Sequence, residues 1–232
     1  MKARPAAWTP SRHPLARLLR EVAAGTVPPC DGRWVRVVPW AQHIQGVVAF
    51  ADHTVLAVSY DVTDQRLEEL GVTGATAAAN ARVPVALAGP TGWVGTLDVL
   101  LVGAGTGAEG RTSTGLVSRH DQSRHPLVQH AQRTTQEVQV LGPPDQQTHD
   151  VVVMARGIAG IREIGVALDV SNRGRGLAAS MVTEILSCVP KDELVLGRVP
   201  AANAAALQAG MRAGMDPIGS VQLFSRRPVG RT

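Results

Sequence analysis

The residues of this chain best suited to chemistry lie in one run, Ser171-Asn172-Arg173-Gly174-Arg175-Gly176, between two segments of opposite pattern. Residues 164 to 170 are rich in Val, Leu, Ile and Ala and are predicted to form a strand. After the run, Leu177, Met181, Ile185 and Leu186 recur at helical spacing. A strand, a glycine-bearing turn and a helix in succession make an anion site. The first backbone N–H groups of a helix lack partners inside it and point out of its end. The helix dipole lies behind them, which suits a phosphate. Gly174 and Gly176 allow a ligand close to the backbone with no Cβ in the way, and Arg173 and Arg175 add positive charge. The competing reading is an ordinary strand-to-helix turn with surface arginines.

Other constellations carry less. Gly103-Ala-Gly-Thr-Gly-Ala-Glu-Gly110 spells G-x-G-x-x-G, but polar Arg111-Thr-Ser-Thr follows it where a dinucleotide site needs the start of a helix. An inter-domain linker over residues 104 to 124 fits that composition better. His120, His125 and His130 recur every five residues, a spacing that does not keep them on one helix face, so surface histidines are expected and no metal site. Cys30 and Cys188 stand alone, which argues against a disulfide framework or a zinc cluster. There is no G-x-S-x-G signature of a covalent hydrolase.

Composition bounds the rest. At 232 residues, 44% apolar and 18% charged, the chain reads as globular with a sizeable core. Aromatics are only 3%, so Val, Leu, Ala and Ile must fill that core. The net charge of +4 is spread out rather than gathered in a basic stripe with aromatics, so a nucleic-acid partner is not expected. The charge-interrupted N-terminus lacks a signal-peptide core and no run is long enough to span a membrane, so a cytoplasmic location is expected. The residue balance fits a GC-rich bacterial genome.

The elements that would position the turn follow from pattern. Residues 1–29, a docking arm or a frayed tail, hold a candidate amphipathic helix, Pro14 to Ala24, ending at Gly25. Strands are predicted at residues 34–38, 46–50 and 55–60, the last two joined by a turn at Ala51-Asp52-His53-Thr54. Asp61 and Thr63 cap a helix that stops at Gly71, an alanine-rich segment follows at 75–82, and a strand at 96–102 completes a small α/β domain over residues 30–103. Residues 125–232 hold a helix at 127–134, strands at 137–141 and 151–154, the strand–turn–helix above, a strand at 194–199, an Asn203-capped helix ending at Gly214, and a strand at 219–226. The fold class is thus α/β (α+β), with a mixed, mainly antiparallel sheet and flanking helices in the C-terminal half.

Arg173-Gly174-Arg175-Gly176-Leu177-Ala178 resembles the Q/R-x-x-G-x-G/A motif of the GNAT superfamily of N-acetyltransferases, and the β and α order of residues 125 to 227 resembles that family's core. Asn203, Ala206, Gly214 and Met215 are similar to its N-x-x-A…G-F segment, and the two-part layout resembles a two-domain actinobacterial subgroup. The resemblance implies acetyl-CoA as co-substrate, with the amides of Gly174, Gly176, Leu177, Ala178 and their neighbours on the pyrophosphate. It implies that Ala167 and Leu168 pair with pantetheine from a strand splayed away from residues 194–199, with the Leu168 N–H directed at the thioester oxygen. It also implies a small-molecule or protein amine as acceptor and allows a homodimer.

The family frequently places a carboxylate where Glu163 stands, to act on the amine directly or through water. The alternative is a solvent-facing Glu beside Arg162. The tyrosine that commonly protonates the leaving thiolate would fall at Gly210, and the sole tyrosine, Tyr60, lies in the other half. Two further readings therefore stand beside the acetyltransferase: a CoA-binding module without fast turnover, and a transferase with an aminoacyl-tRNA donor.

Overall fold

The structure, a computed structural model, describes residues 12–107 and 115–228. In chain order its elements are α1 (Pro14–Ala23), β1 (Cys30–Val37), β2 (Gln45–Ala49), β3 (Asp52–Ala57), α2 (Asp64–Glu69), α3 (Ala75–Ala78), α4 (Arg82–Ala88), β4 (Trp93–Ala104), β5 (Val117–Ser118), α5 (Pro126–Thr134), β6 (Gln136–Gly142), β7 (Val151–Arg156), β8 (Arg162–Ala167), α6 (Leu177–Cys188), β9 (Leu194–Pro200), α7 (Ala204–Arg212) and β10 (Asp216–Ser225). Strand pairing is mainly antiparallel, with parallel pairing at β1–β3 and β8–β9, so the fold is a mixed α/β one with flanking helices.

Two compact units divide the described residues. One comprises 12–100 and 218–228, the other 101–107 and 115–217. The chain passes from one to the other within β4. In the first, the strand order is β1-β3-β2-β10-β4. Its core gathers Val47, Leu56, Val58, Leu67, Val83, Leu87 and Phe224. The boundaries differ from those drawn on the sequence, because the strand at 219–226 pairs with β2, Val221 opposite Val48, and so joins the N-terminal unit. Composition cannot show that partner, which lies more than 160 positions away in the chain.

Local details also shift. β2 and β3 are joined by Phe50-Ala51 alone, with the Phe50 N–H donating to the His53 carbonyl, so Asp52, His53 and Thr54 belong to β3 rather than to a turn. Of the alanine-rich segment 75–82, read as one candidate helix, only Ala75–Ala78 is helical as α3, and α4 starts at Arg82 and carries Pro84 in its first turn, where the missing N–H costs nothing. Thr63 caps α2 through the Arg66 N–H, as expected.

In the second unit the order is β4-β9-β8-β7-β6-β5. α5 packs on β6 to β8, where Val128 and Ala131 meet Val151, Val153 and Ala155. α6 buries Met181, Val182, Ile185 and Leu186, and α7 packs against α6 and β9.

Of the G-x-G-x-x-G run, residues 108–110 lie outside the described part, as do residues 108–114 of the expected linker. What is described there is fixed. Gly105, Thr106 and Gly107 donate to the carbonyls of Glu193, Leu186 and Val189, and β5 pairs with β6. A side chain at Gly105 would collide with the Pro190 carbonyl, so this glycine serves close backbone approach.

Candidate functional site

β8 and β9 are paired over three positions only: Arg162 with Val195, Glu163 with Leu196, and Ile164 with Gly197. On its other edge β8 stays paired to β7 as far as Ala167. From Gly165 and Arg198 onward the two strands therefore face each other without a shared ladder. A backbone edge that has lost its neighbour needs other hydrogen-bond partners. The gap opens toward the C-terminal ends of both strands. β8 leads from there through a 3-10 turn, Val170–Asn172, to the N-terminus of α6, and β9 leads to the Asn203-capped start of α7.

A cavity of about 180 Å³ occupies this gap. Gly165, Val166, Arg198, Val199 and Pro200 line it from the strands, and Ala178, Val182, Asn203, Ala206 and Gly210 from the helices. The lining is apolar apart from Arg198 and Asn203. Asn203 is already committed, since its side chain accepts the Ala206 N–H at 3.1 Å and caps α7.

At the start of α6, Gly174 and Gly176 have φ of 75° and 78°. Gly176 is the N-cap and offers no side-chain acceptor to the helix. Left-handed backbone disfavours a Cβ, yet a Cβ built at either glycine would meet nothing within 4 Å. Packing therefore does not demand glycine here; conformation does, and the space in front of the amides is open. Arg173, Arg175 and Leu177 are exposed beside it. The Arg173 guanidinium folds back, Nε donating to the Leu168 carbonyl at 3.3 Å.

This loop is held from behind by residues that sequence reasoning missed. The buried Asp150 carboxylate accepts from the Asp169 N–H and from Asn172 Nδ2, both at 2.7 Å. Asp169 in turn accepts the His149 N–H at 2.7 Å. The segment supplying Asp150 is pinned by Arg119, whose guanidinium donates to the carbonyls of Pro143, Asp145 and Thr148 and pairs with Asp121 at 2.8 Å. That hydrogen bond holds the Asp121 carboxyl at about 2. His125 is no idle surface histidine: its Nδ1 accepts the Leu127 N–H and caps α5. Burial and the neighbouring His149 push its pKa down, against a smaller upward pull from Asp169.

Glu163 is buried at 7% exposure, so it does not face solvent. Its Oε1 accepts from Arg198 Nε at 2.6 Å and its Oε2 lies 3.4 Å from the Ile158 N–H. It stands on the face of β8 that meets α5, and Arg198, not Glu163, lines the cavity. Neighbouring Arg162 is also buried and pairs with Glu193 at 2.7 Å. An Arg inside an otherwise apolar strand, Leu-Val-Leu-Gly-Arg-Val, was the available signal for a buried ion pair.

Gly210 has a packing reason. A Cβ there would sit 2.6 Å from Leu101 Cδ1, so Leu101 fills the space a side chain would take. Ala167 ends β8 with no partner on the β9 side, Leu168 follows it, and Ala178 lies one residue into α6 and in the cavity wall. The structure thus brings Ala167, Leu168 and residues 173–178 to one end of one strand, with Asn203 across the gap. Among the described residues no group of three or more His, Cys, Asp or Glu could hold a metal, and no helix is long and apolar enough to cross a membrane.

No protein-family model matches the chain, and no curated protein matches it. Among solved structures, the chain is similar to a protein from Novosphingobium aromaticivorans described as an acetyltransferase from the GNAT family. The TM-score is 0.40 and the identity 20%, over 59% of this chain and 68% of that one. It is also similar to an acetyltransferase from the GNAT family from Colwellia psychrerythraea, with a TM-score of 0.35 and 13% identity over 75% of this chain and 76% of that one.

Proposed function

We propose that this protein is an acyl-CoA-dependent N-acyltransferase of the GNAT type, transferring acetyl from acetyl-CoA to a primary amine by direct attack in a ternary complex. The observation that carries the reading is the parting of β8 from β9 at Ile164 and Gly197, with an apolar cavity in the gap and an open helix N-terminus at its mouth. A ligand that is a polyanion at one end and a thin amide-bearing arm at the other fits that combination. Its pyrophosphate would take the amides of residues 174–178, and its arm would restore a strand-like ladder along Gly165 to Leu168. Its thioester would lie where pairing resumes.

There, the amine nitrogen attacks the thioester carbon, the C–S bond breaks, and the electron pair leaves on sulfur. A backbone N–H on the free edge of β8 beside Gly165, next to the point where pairing resumes, is the donor proposed for the carbonyl oxygen, a contribution of about 3 kcal/mol when preorganised; Leu168, nearer the α6 end, would pair with the arm instead. Glu163 does not line the cavity, so it would take the amine proton through water. The acceptor is a small-molecule or protein amine; the reading invokes no metal and no nucleic acid, and a homodimer is compatible with it. A CoA-binding module without fast turnover is the second reading, favoured by Leu101 filling the place beside Gly210.

Calorimetric titration with acetyl-CoA, followed by free-thiol release over an amine panel, tests both. Micromolar binding with thiol release supports the enzyme; binding without release from any amine selects the second reading; no binding removes both. Glu163→Gln is expected to lower turnover at least tenfold while acetyl-CoA affinity stays within about threefold. Unchanged turnover removes Glu163 from the site.

A further inference from the structure

If the site carries out acyl transfer, a thiolate must be expelled inside an apolar cavity, and Gly210 offers no hydroxyl to meet it. A Cβ at Gly210 would lie 2.6 Å from Leu101 Cδ1, so the position has no room for a side chain that could supply a proton. Among the described residues lining the cavity, Arg198 is the one with a charged side chain. Its place in the register matters: Gly197 is the last residue of β9 paired with β8, and Arg198 is the first beyond. It therefore stands at the vertex of the gap, where an arm entering from the α6 end must finish.

We propose that Arg198 is a catalytic residue that stabilises the leaving thiolate electrostatically, with Glu163 as its positioning residue. This inference rests on the acyl-CoA reading above. The Nε–Oε1 contact of 2.6 Å fixes the guanidinium plane and lets a cation remain buried at 9% side-chain exposure without stranding its charge. A guanidinium stays protonated in proteins, so it gives no proton to sulfur. The electron pair of the broken C–S bond stays on sulfur beside the cation, and CoA leaves as thiolate to be protonated by solvent. The attacking amine gives its proton through water to Glu163, which passes it on to solvent. The arrangement dispenses with a general acid, which explains how a glycine can stand at position 210.

The test compares acetyl-CoA with acetyl-seleno-CoA, the same donor with a far less basic leaving group. Single-turnover rates are measured on the full chain with hydroxylamine as nucleophile, so no natural acceptor is needed, and donor affinity is measured by calorimetry on each variant. The neutral double variant Glu163→Gln/Arg198→Met avoids a stranded charge, and Arg198→Lys keeps a cation. The expected result is a fall of about a hundredfold with acetyl-CoA for the double variant. The fall should be at least fivefold smaller with the selenium donor, with donor affinity within threefold of wild type. Arg198→Lys should stay within about tenfold of wild type with either donor.

An equal fall with both donors in Arg198→Lys and in the double variant, or no fall in either, overturns the proposal. So does a wild type that leaves hydroxylaminolysis unaccelerated. If the double variant does not fold, Glu163→Gln/Arg198→Gln, also without a stranded charge, takes its place in the two-donor comparison with the same outcomes. Failure of the wild type to bind acetyl-CoA, in contrast, is a failure of the functional reading itself.

Discussion

Substituting Gly176 by Asp and by Asn separates charge from shape at the mouth of the cavity. Both side chains tolerate left-handed backbone better than other non-glycine residues do, and at φ of 78° with nothing within 4 Å both have room. Their steric and backbone costs are therefore about the same, a destabilisation of about 1 kcal/mol each. They differ by one negative charge at the end of α6. Two unit charges about 6 Å apart repel by about 0.7 kcal/mol at the dielectric of water and about 2.8 kcal/mol at an effective value near 20. A pyrophosphate with about two charges doubles these to about 1.4 and 5.5 kcal/mol.

Gly176 is exposed, so the lower end applies. Calorimetry should find acetyl-CoA bound about tenfold more weakly by Gly176→Asp than by Gly176→Asn. The gap should narrow as salt rises to about 0.5 M, because exposed charges are screened. Acetylpantetheine, which lacks the pyrophosphate, should bind both variants alike. Equal affinity of the two variants for acetyl-CoA at low salt would refute the assignment of phosphate to these amides.

Two other outcomes follow from the packing. Gly210→Tyr should destabilise the fold by about 1–3 kcal/mol, read as a lowered denaturant midpoint, because Leu101 Cδ1 lies 2.6 Å from the new Cβ. Leu101→Ala in the same chain should recover part of that loss, and a double variant as unstable as the sum of its singles would contradict the contact.

His125 links stability to pH. Its folded pKa lies below 6.5, so the unfolded chain takes up the proton first. Its contribution is whole above the unfolded value and is lost as pH falls from there through the lower folded value. His125→Asn keeps an acceptor cap without a proton to gain. The melting temperature of wild type relative to this variant should drop between about pH 7.5 and about pH 5; parallel curves would contradict the cap.

Much of the element order was legible because the chain marks it locally. Thr63 and Asn203 begin helices, and Gly71 and Gly214 follow their ends, at φ of 82° and 85°. The glycine turn before α6 was readable for the same reason. What stayed hidden depends on contacts across the chain. The pairing of β10 with β2 has no local mark. Neither does Leu101 against Gly210, so the sequence could report an absent tyrosine without its packing cause. Glu163 was visible as a carboxylate, but its partner Arg198 is on another strand, 35 positions away. The same holds for Asp150, which clamps the Asp169–Asn172 loop from the start of β7.

Backbone hydrogen exchange at Gly165 to Leu168, with and without acetyl-CoA, bears most directly on the parted strands. An acyl-CoA arm laid along the free edge of β8 predicts slowed exchange at amides in this stretch that face the gap. It also predicts slowed exchange at residues 174–178 and unchanged exchange at Val152 and Met154 on β7. Binding of acetyl-CoA that leaves both stretches unprotected would contradict it.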